Sequence, residues 1–268
     1  MTNKISFYQL VLIGLFISIF TILLIFNSEA YNFLSKEDHL IEYLSSVSLA
    51  ITGVFFLKAS IYSKKTVSGK SIKWNTFLFV VLAVVFFIAA GEEISWGQRL
   101  FNFRTPEYLS QLNDQNEFNF HNVDKKFFDR LVDRSTIAFV IICSVLVLLR
   151  KKTILGMKAP DIFTISAFAI LPFYNQYNDL TLDFFHLQYI PLIALLIFSI
   201  KNKDKIYIYA VVITLIVSIL IPIIHIKFNY LFPSHNNSAN EYREFMFGIC
   251  CLFYSYIILK KVRLDTIC

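Results

Sequence analysis

The sequence predicts an all-α, polytopic transmembrane bundle of about eight helices, with residues 1–268 forming a single membrane domain. Three observations predict it. Of the 268 residues, 56% are hydrophobic and only 16% charged, and the mean hydropathy of +0.60 is too high for a soluble domain. Eight long, mostly uncharged runs recur, close to the roughly 20 apolar helical residues that a hydrocarbon core about 30 Å thick requires. Cations gather at alternate connections between those runs, as they do on the cytoplasmic side of membrane proteins.

The runs centre on Phe7–Phe26, Ile41–Tyr62, Trp74–Ala90, Thr136–Leu149, Ile162–Tyr174, Phe184–Ile200, Ile206–Ile224 and Tyr242–Leu259. The first has the wrong flanks and too long an apolar stretch for a cleaved signal, so it reads as a retained anchor. Lys64, Lys65, Lys70 and Lys73 follow the second run. Arg150, Lys151, Lys152 and Lys158 follow the fourth, Lys201, Lys203 and Lys205 the sixth, and Lys260, Lys261 and Arg263 the last. The positive-inside rule places these connections and both termini in the cytoplasm of a cell whose inner (plasma) membrane holds the chain. The +6 net charge therefore reports topology, and nucleic acid is not an expected partner.

The acids go the other way. In that topology 16 of the 19 Asp and Glu residues lie outside, the exceptions being Asp161, Asp204 and Asp265, and all five histidines lie outside too. Run length sharpens the point: Tyr43–Leu57 and Phe245–Leu259 each hold only 15 uncharged residues, about 23 Å of helix. Lysine snorkels to the interface, whereas short carboxylates reach it poorly. The deficit should draw Glu42, Glu92, Asp179, Asp183 and Glu244 inward, into an outer-leaflet pocket lined by five helices. Local thinning or tilt is the competing way to absorb the mismatch.

Several spacings within this acidic half point to chemistry. Asp179, Asp183 and His186 stand at i, i+4 and i+7, a helical stripe whose oxygen and imidazole ligands suit a divalent metal, zinc or similar. Asp179 also fits a turn before the helix. The outer segment 91–134, between the third and fourth runs, is long for an idle connection. If the third helix continues past Glu92, then Glu92, Trp96 and Arg99 share a face, with Glu93 on the next; adjacent glutamates at a bilayer boundary suit acid–base work. Glu117 and His121 form a second, weaker metal pair, and Asn119 and Asn122 offer amides to a substrate. The same segment, with Phe118, Phe120, Phe127 and Phe128, also reads as an interfacial amphipathic helix. Glu42 leads the second run, and Glu241, Arg243 and Glu244 open the last. Cys143, Cys250 and Cys251 read as small apolar fillers.

GEEISWGQRLF, with RTPEYL and NDQNEFNFHN after it, resembles a segment of uncharacterised multi-pass bacterial membrane proteins; that resemblance implies no activity. The Glu92-Glu93 pair, a later His121 or His186, and His225 four residues before Asn229 look similar to the CPBP family of intramembrane glutamyl proteases. Arg99 falls six residues after Glu93 rather than four, and positions 117 and 182 lack that family's Phe. A looser likeness to alkaline-ceramidase-like hydrolases rests on outer His and Asp residues without their paired HxxxH.

The sequence thus predicts a membrane-embedded hydrolase or transferase acting on a lipid or lipid-linked substrate at the extracytoplasmic face. Glu92, Glu93 and Glu42 are its expected acid–base groups. Trp96, Arg99, Asn119, Asn122, Arg243 and Glu244 are expected on substrate, and Glu117, His121, Asp179, Asp183 and His186 on metal. A proton- or cation-coupled transporter or channel, and a non-catalytic scaffold or sensor, are the alternatives.

Overall fold

In hydrocarbon every backbone amide has to be satisfied within its own segment, so apolar runs bounded by charge fold as helices. The structure, a computed structural model, describes residues 2–36, 40–66, 70–112, 117–120, 123–155, 157–174, 184–231 and 238–267. The long elements are α1 (Thr2–Phe26), α3 (Leu40–Thr66), α4 (Lys70–Glu93), α7 (Lys125–Leu148), α10 (Lys205–Leu231) and α11 (Ser238–Ile267). Between them come the short α2 (Ser28–Leu34), α5 (Gln98–Phe101), α6 (Glu107–Ser110), α8 (Ile162–Ile170) and α9 (Tyr189–Lys201). A two-stranded antiparallel hairpin, β1 (Thr153–Ile154) and β2 (Met157–Lys158), joins α7 to α8.

Among the described residues, six helices are long and apolar enough to cross a membrane. The chain is a multi-pass, membrane-embedded helical protein. Two of the eight expected crossings are shorter: Ile162–Phe173 and His186–Lys201 cover only about 18 and 24 Å, below the hydrocarbon thickness. Asp161 caps the first of these by accepting from the Thr164 amide at 3.0 Å, and Pro172 sits in the tight turn that ends it. All nine residues of α8 are buried among α1, α7, α10 and α11. Its apolar surface runs all the way round because it meets protein on every side.

In α10, Pro222 removes the amide that would bond the Ser218 carbonyl. The Tyr189 hydroxyl donates to that carbonyl at 3.2 Å, so the proline is accommodated without an orphaned acceptor.

The most extensive packing joins α3 to α4 on one side and to α11 on the other. α3 and α4 run antiparallel. The Ser46 hydroxyl donates across to the Ala90 carbonyl at 2.8 Å, Gly53 makes room for the Phe87 ring, and Phe56 stacks on Phe86 at 5.6 Å. α3 and α11 run parallel: Ser45 and Ser48 lie against Gly248, and Phe55 meets Tyr256 at 5.6 Å. A Cβ on Gly248 would sit 2.4 Å from the Ser48 hydroxyl oxygen, so with Ser48 in place glycine lets the helices meet this closely, as small residues do between membrane helices generally.

Gly248→Ala is accordingly expected to destabilise the protein by about 1–3 kcal/mol through overpacking. The Gly248→Ala/Ser48→Ala pair, which removes the clashing hydroxyl, should recover most of that loss in thermal unfolding of the detergent-solubilised protein. Equal loss in the single and double variants would contradict the parallel contact.

Candidate functional site

Helix polarity builds the site. The N-termini of α3 and α11 and the C-terminus of α4 lie at one end of the bundle, so Glu42, Glu93, Glu241 and Glu244 come together there. The Glu93 carboxyl lies within electrostatic reach of the other three and faces the Ser45 hydroxyl. Ser45 is 1% exposed and its oxygen closes no full hydrogen bond. All four glutamates are half-buried, and Glu93 is the most enclosed by protein, so they form one acidic cluster at this end of the bundle. Of the five acids expected to be drawn inward, Glu42 and Glu244 stand in this group; Glu93, expected on an adjacent face, joins them, and Glu92 turns to Trp96 and Phe120 instead.

Arg243 is 1% exposed, and one guanidinium nitrogen meets Asp133 of α7 at 3.0 Å while another meets Glu244 at 3.4 Å. Its charge is committed to protein carboxylates, which leaves it poorly placed to hold an anionic substrate group. Next to it, Tyr242 donates to the Tyr31 carbonyl at 2.7 Å and stacks on Phe20 at 4.1 Å, tying the start of α11 to α1 and α2. The Tyr31 and Tyr174 hydroxyls stand 3.4 Å apart, and Tyr174 meets the buried His225 edge-on at 4.6 Å.

The segment after α4 folds differently from the expected helix. α4 ends at Glu93, and Ser95, Trp96 and Gly97 take φ of 47°, 55° and 76°. Three consecutive left-handed residues, two of them not glycine, turn the chain back at a conformational cost. Glu92 and Trp96 do meet, but through this turn: the indole donates to Glu92 Oε1 at 2.7 Å. Gly91 permits it, because a Cβ there would lie 2.9 Å from the indole ring. The Phe120 amide donates to Glu92 Oε2 at 2.6 Å, so both oxygens of Glu92 hold the outer segment.

Below the turn lies a buried polar knot. Ser95 donates to Glu117 Oε2 at 2.9 Å, and the Asn119 amide nitrogen reaches Glu117 Oε2 at 2.7 Å and the Ser95 oxygen at 2.9 Å. Gln98 bridges the Thr105 hydroxyl and the Phe118 amide. Glu117 and Asn119 thus brace the outer segment. Among the described residues of this segment, expected as a long outer loop or an interfacial helix, the helices are a 3-10 turn at Ser95–Gly97 and the short α5 and α6, and α7 begins at Lys125, capped by Asp124.

His121, Asn122, Asp179 and Asp183 lie outside the described residues, as does the Arg99 side chain. His186 is exposed and stacks at 6.4 Å on Tyr189. Among the described residues, no three His, Cys, Asp or Glu side chains are grouped to hold a metal ion. Reasoning from the sequence missed Asp133: it lies 110 residues from Arg243 in a mixed-charge stretch, and only the burial of that arginine would have demanded a partner.

Roughly one to four turns along the helices from the acids lies an apolar chamber of about 290 Å³. Thr136 follows Asp133 by three residues, Phe247 follows Glu244 by three, and Phe86 precedes Glu93 by seven, so its walls continue the faces that carry the acids. Tyr254 and Phe168 form its buried depth. Leu82 and Phe86 of α4 and Ser135 and Phe139 of α7 form its partly exposed rim, and those two helices scarcely touch. The chamber opens sideways between them.

Comparison with family models, curated proteins and solved structures finds no match for the chain.

Breaking a buried ion pair leaves one charge uncompensated, so Arg243→Met is expected to cost about 3–5 kcal/mol, toward the lower figure because Asp133 keeps some access to water. Arg243→Met/Asp133→Leu should restore part of it. Thermal unfolding in detergent reads both; additive losses would show that the two residues do not interact.

Proposed function

We propose that the protein is a membrane-embedded enzyme, a hydrolase or transferase acting on a lipid or lipid-linked substrate. The observation that carries this reading is the cluster of four half-buried glutamates at one end of the bundle, with an apolar chamber farther along the helix faces that carry them. A lipid has its labile bond between a polar head and an apolar chain, and this arrangement offers a place for each, with acid–base groups at the boundary. The lysine distribution supports an extracytoplasmic position for these acids by the positive-inside rule.

Glu93 is the central acid–base group of this proposal. It stands among Glu42, Glu241 and Glu244, so neighbouring carboxyl groups divide two tasks: one accepts a proton from an attacking water or hydroxyl, and another returns a proton to the leaving group. Ser45 faces the Glu93 carboxyl. Glu92, with both oxygens engaged, holds the outer segment at this end of the bundle, and Trp96 is 43% exposed there.

Transport is the weaker reading. A proton or cation path needs polar groups that continue to the lysine-rich end, yet the Ser48, Thr52 and Ser60 hydroxyls each donate to a carbonyl of their own helix. Phe56 and Ala59 are buried between them.

The test compares lipid profiles, by mass spectrometry, of cells expressing the protein or Glu93→Gln at matched membrane abundance. At least one lipid species should shift with the unaltered protein, and conversion by the variant should fall 10²-fold or more, the usual loss of a general acid or base. Identical profiles for the two would remove the catalytic reading and favour a scaffold.

A further inference from the structure

The opposite end of the α3–α11 pair carries a second feature, unrelated to the acidic cluster. The parallel register that pairs Glu42 with Glu244 also pairs Lys58 with Lys260, since each lysine follows its glutamate by sixteen residues. The two charge rows are thus about 24 Å apart. Around the lysines the helices leave a groove of about 530 Å³, lined by Lys58, Tyr62, Tyr256, Lys260 and Arg263 with apolar neighbours such as Leu264. On α11, Tyr256, Lys260 and Arg263 recur at i, i+4 and i+7, and on α3 Lys58 and Tyr62 at i and i+4, so each set shares one helical face.

Lys58, Lys260 and Arg263 line one groove that, among the described side chains, holds no acid, and an anion seated among the three offsets their like charge. The lining also specifies what kind of anion. Lys58 lies within a membrane-spanning helix, eight residues before its end. Leu264 and Ile61 are 48% and 50% exposed, and the tyrosines have the amphipathic character of residues at headgroup level. A soluble phosphate would use the cations and waste the apolar wall, whereas a phospholipid uses both.

We propose that this groove is a binding site for the headgroup of an anionic phospholipid. The lipid phosphate lies among Lys58, Lys260 and Arg263, the tyrosine hydroxyls meet the phosphate or glycerol oxygens, and the acyl chains run along the exposed apolar faces of α3 and α11. Basic pockets between membrane helices recognise anionic headgroups in this way, and each cation near the surface contributes appreciably.

Native mass spectrometry of the full chain in detergent tests it, with titration by phosphatidylglycerol and phosphatidylcholine of identical acyl chains. Phosphatidylglycerol is expected to bind at least about tenfold more tightly. Lys260→Ala/Arg263→Ala, and separately the single exposed change Lys58→Ala, should erase that preference, while the charge-keeping Lys260→Arg/Arg263→Lys should retain it. Lys151→Ala/Lys152→Ala, which removes two exposed cations outside the groove, should leave it intact. Equal binding of the two lipids, or equal loss in the Lys151/Lys152 variant, would overturn the proposal by showing that no defined site exists. Displacement of the lipid by glycerol 3-phosphate at comparable concentration would overturn it in favour of a soluble phosphate ligand.

Discussion

The close parallel contact between α3 and α11 is the constraint on which the rest of the structure depends. Ser48 reaches to where a Cβ on residue 248 would be, so the two helices approach closely over small side chains. Between membrane helices there is little hydrophobic drive to associate, and van der Waals contact over small residues supplies the attraction. That contact fixes a register, and the register in turn gathers the acids at one end of the pair and the cations at the other. α4, packed antiparallel on the far side of α3, delivers Glu93 to the acidic end.

A membrane protein places carboxylates below the headgroups only where other protein groups receive them. Here the receiving groups come from distant parts of the chain: Arg243 and Asp133 join α11 to α7, Ser45 faces Glu93, and the tyrosines link α11 to α2 and the end of α8. The short α8 helps make this possible. It is short and enclosed by four helices, and just past its end Tyr174 meets Tyr31 of α2 and His225 of α10. The hairpin Met157 and the α11 Tyr254, whose hydroxyl donates to the Lys158 carbonyl at 2.8 Å, close the chamber from below.

Much of this was legible in the chain itself. Apolar runs of the right length marked the six long helices, and the 15-residue deficits at Tyr43–Leu57 and Phe245–Leu259 pointed to Glu42 and Glu244 as inward-drawn acids. What the pattern could not convey was the geometry of irregular backbone. Hydropathy cannot distinguish a buried twelve-residue helix from a crossing, since both are apolar on every face, and so the fifth run read as a span. Helical spacing placed Glu92 beside Trp96, and the two do touch, but across a left-handed turn whose signal was Gly91 and Gly97 flanking the tryptophan. The partnership of Arg243 with Asp133 carries no local signature, because ion pairs between helices follow from tertiary packing alone.

The gap between α4 and α7 has a bearing on supply. A molecule that enters through the side of the bundle never leaves the plane of the membrane, so it finds the protein by two-dimensional diffusion. Occupancy of the chamber then answers to the mole fraction of that molecule among its neighbours in the leaflet, and diluting a vesicle suspension with buffer leaves it unchanged.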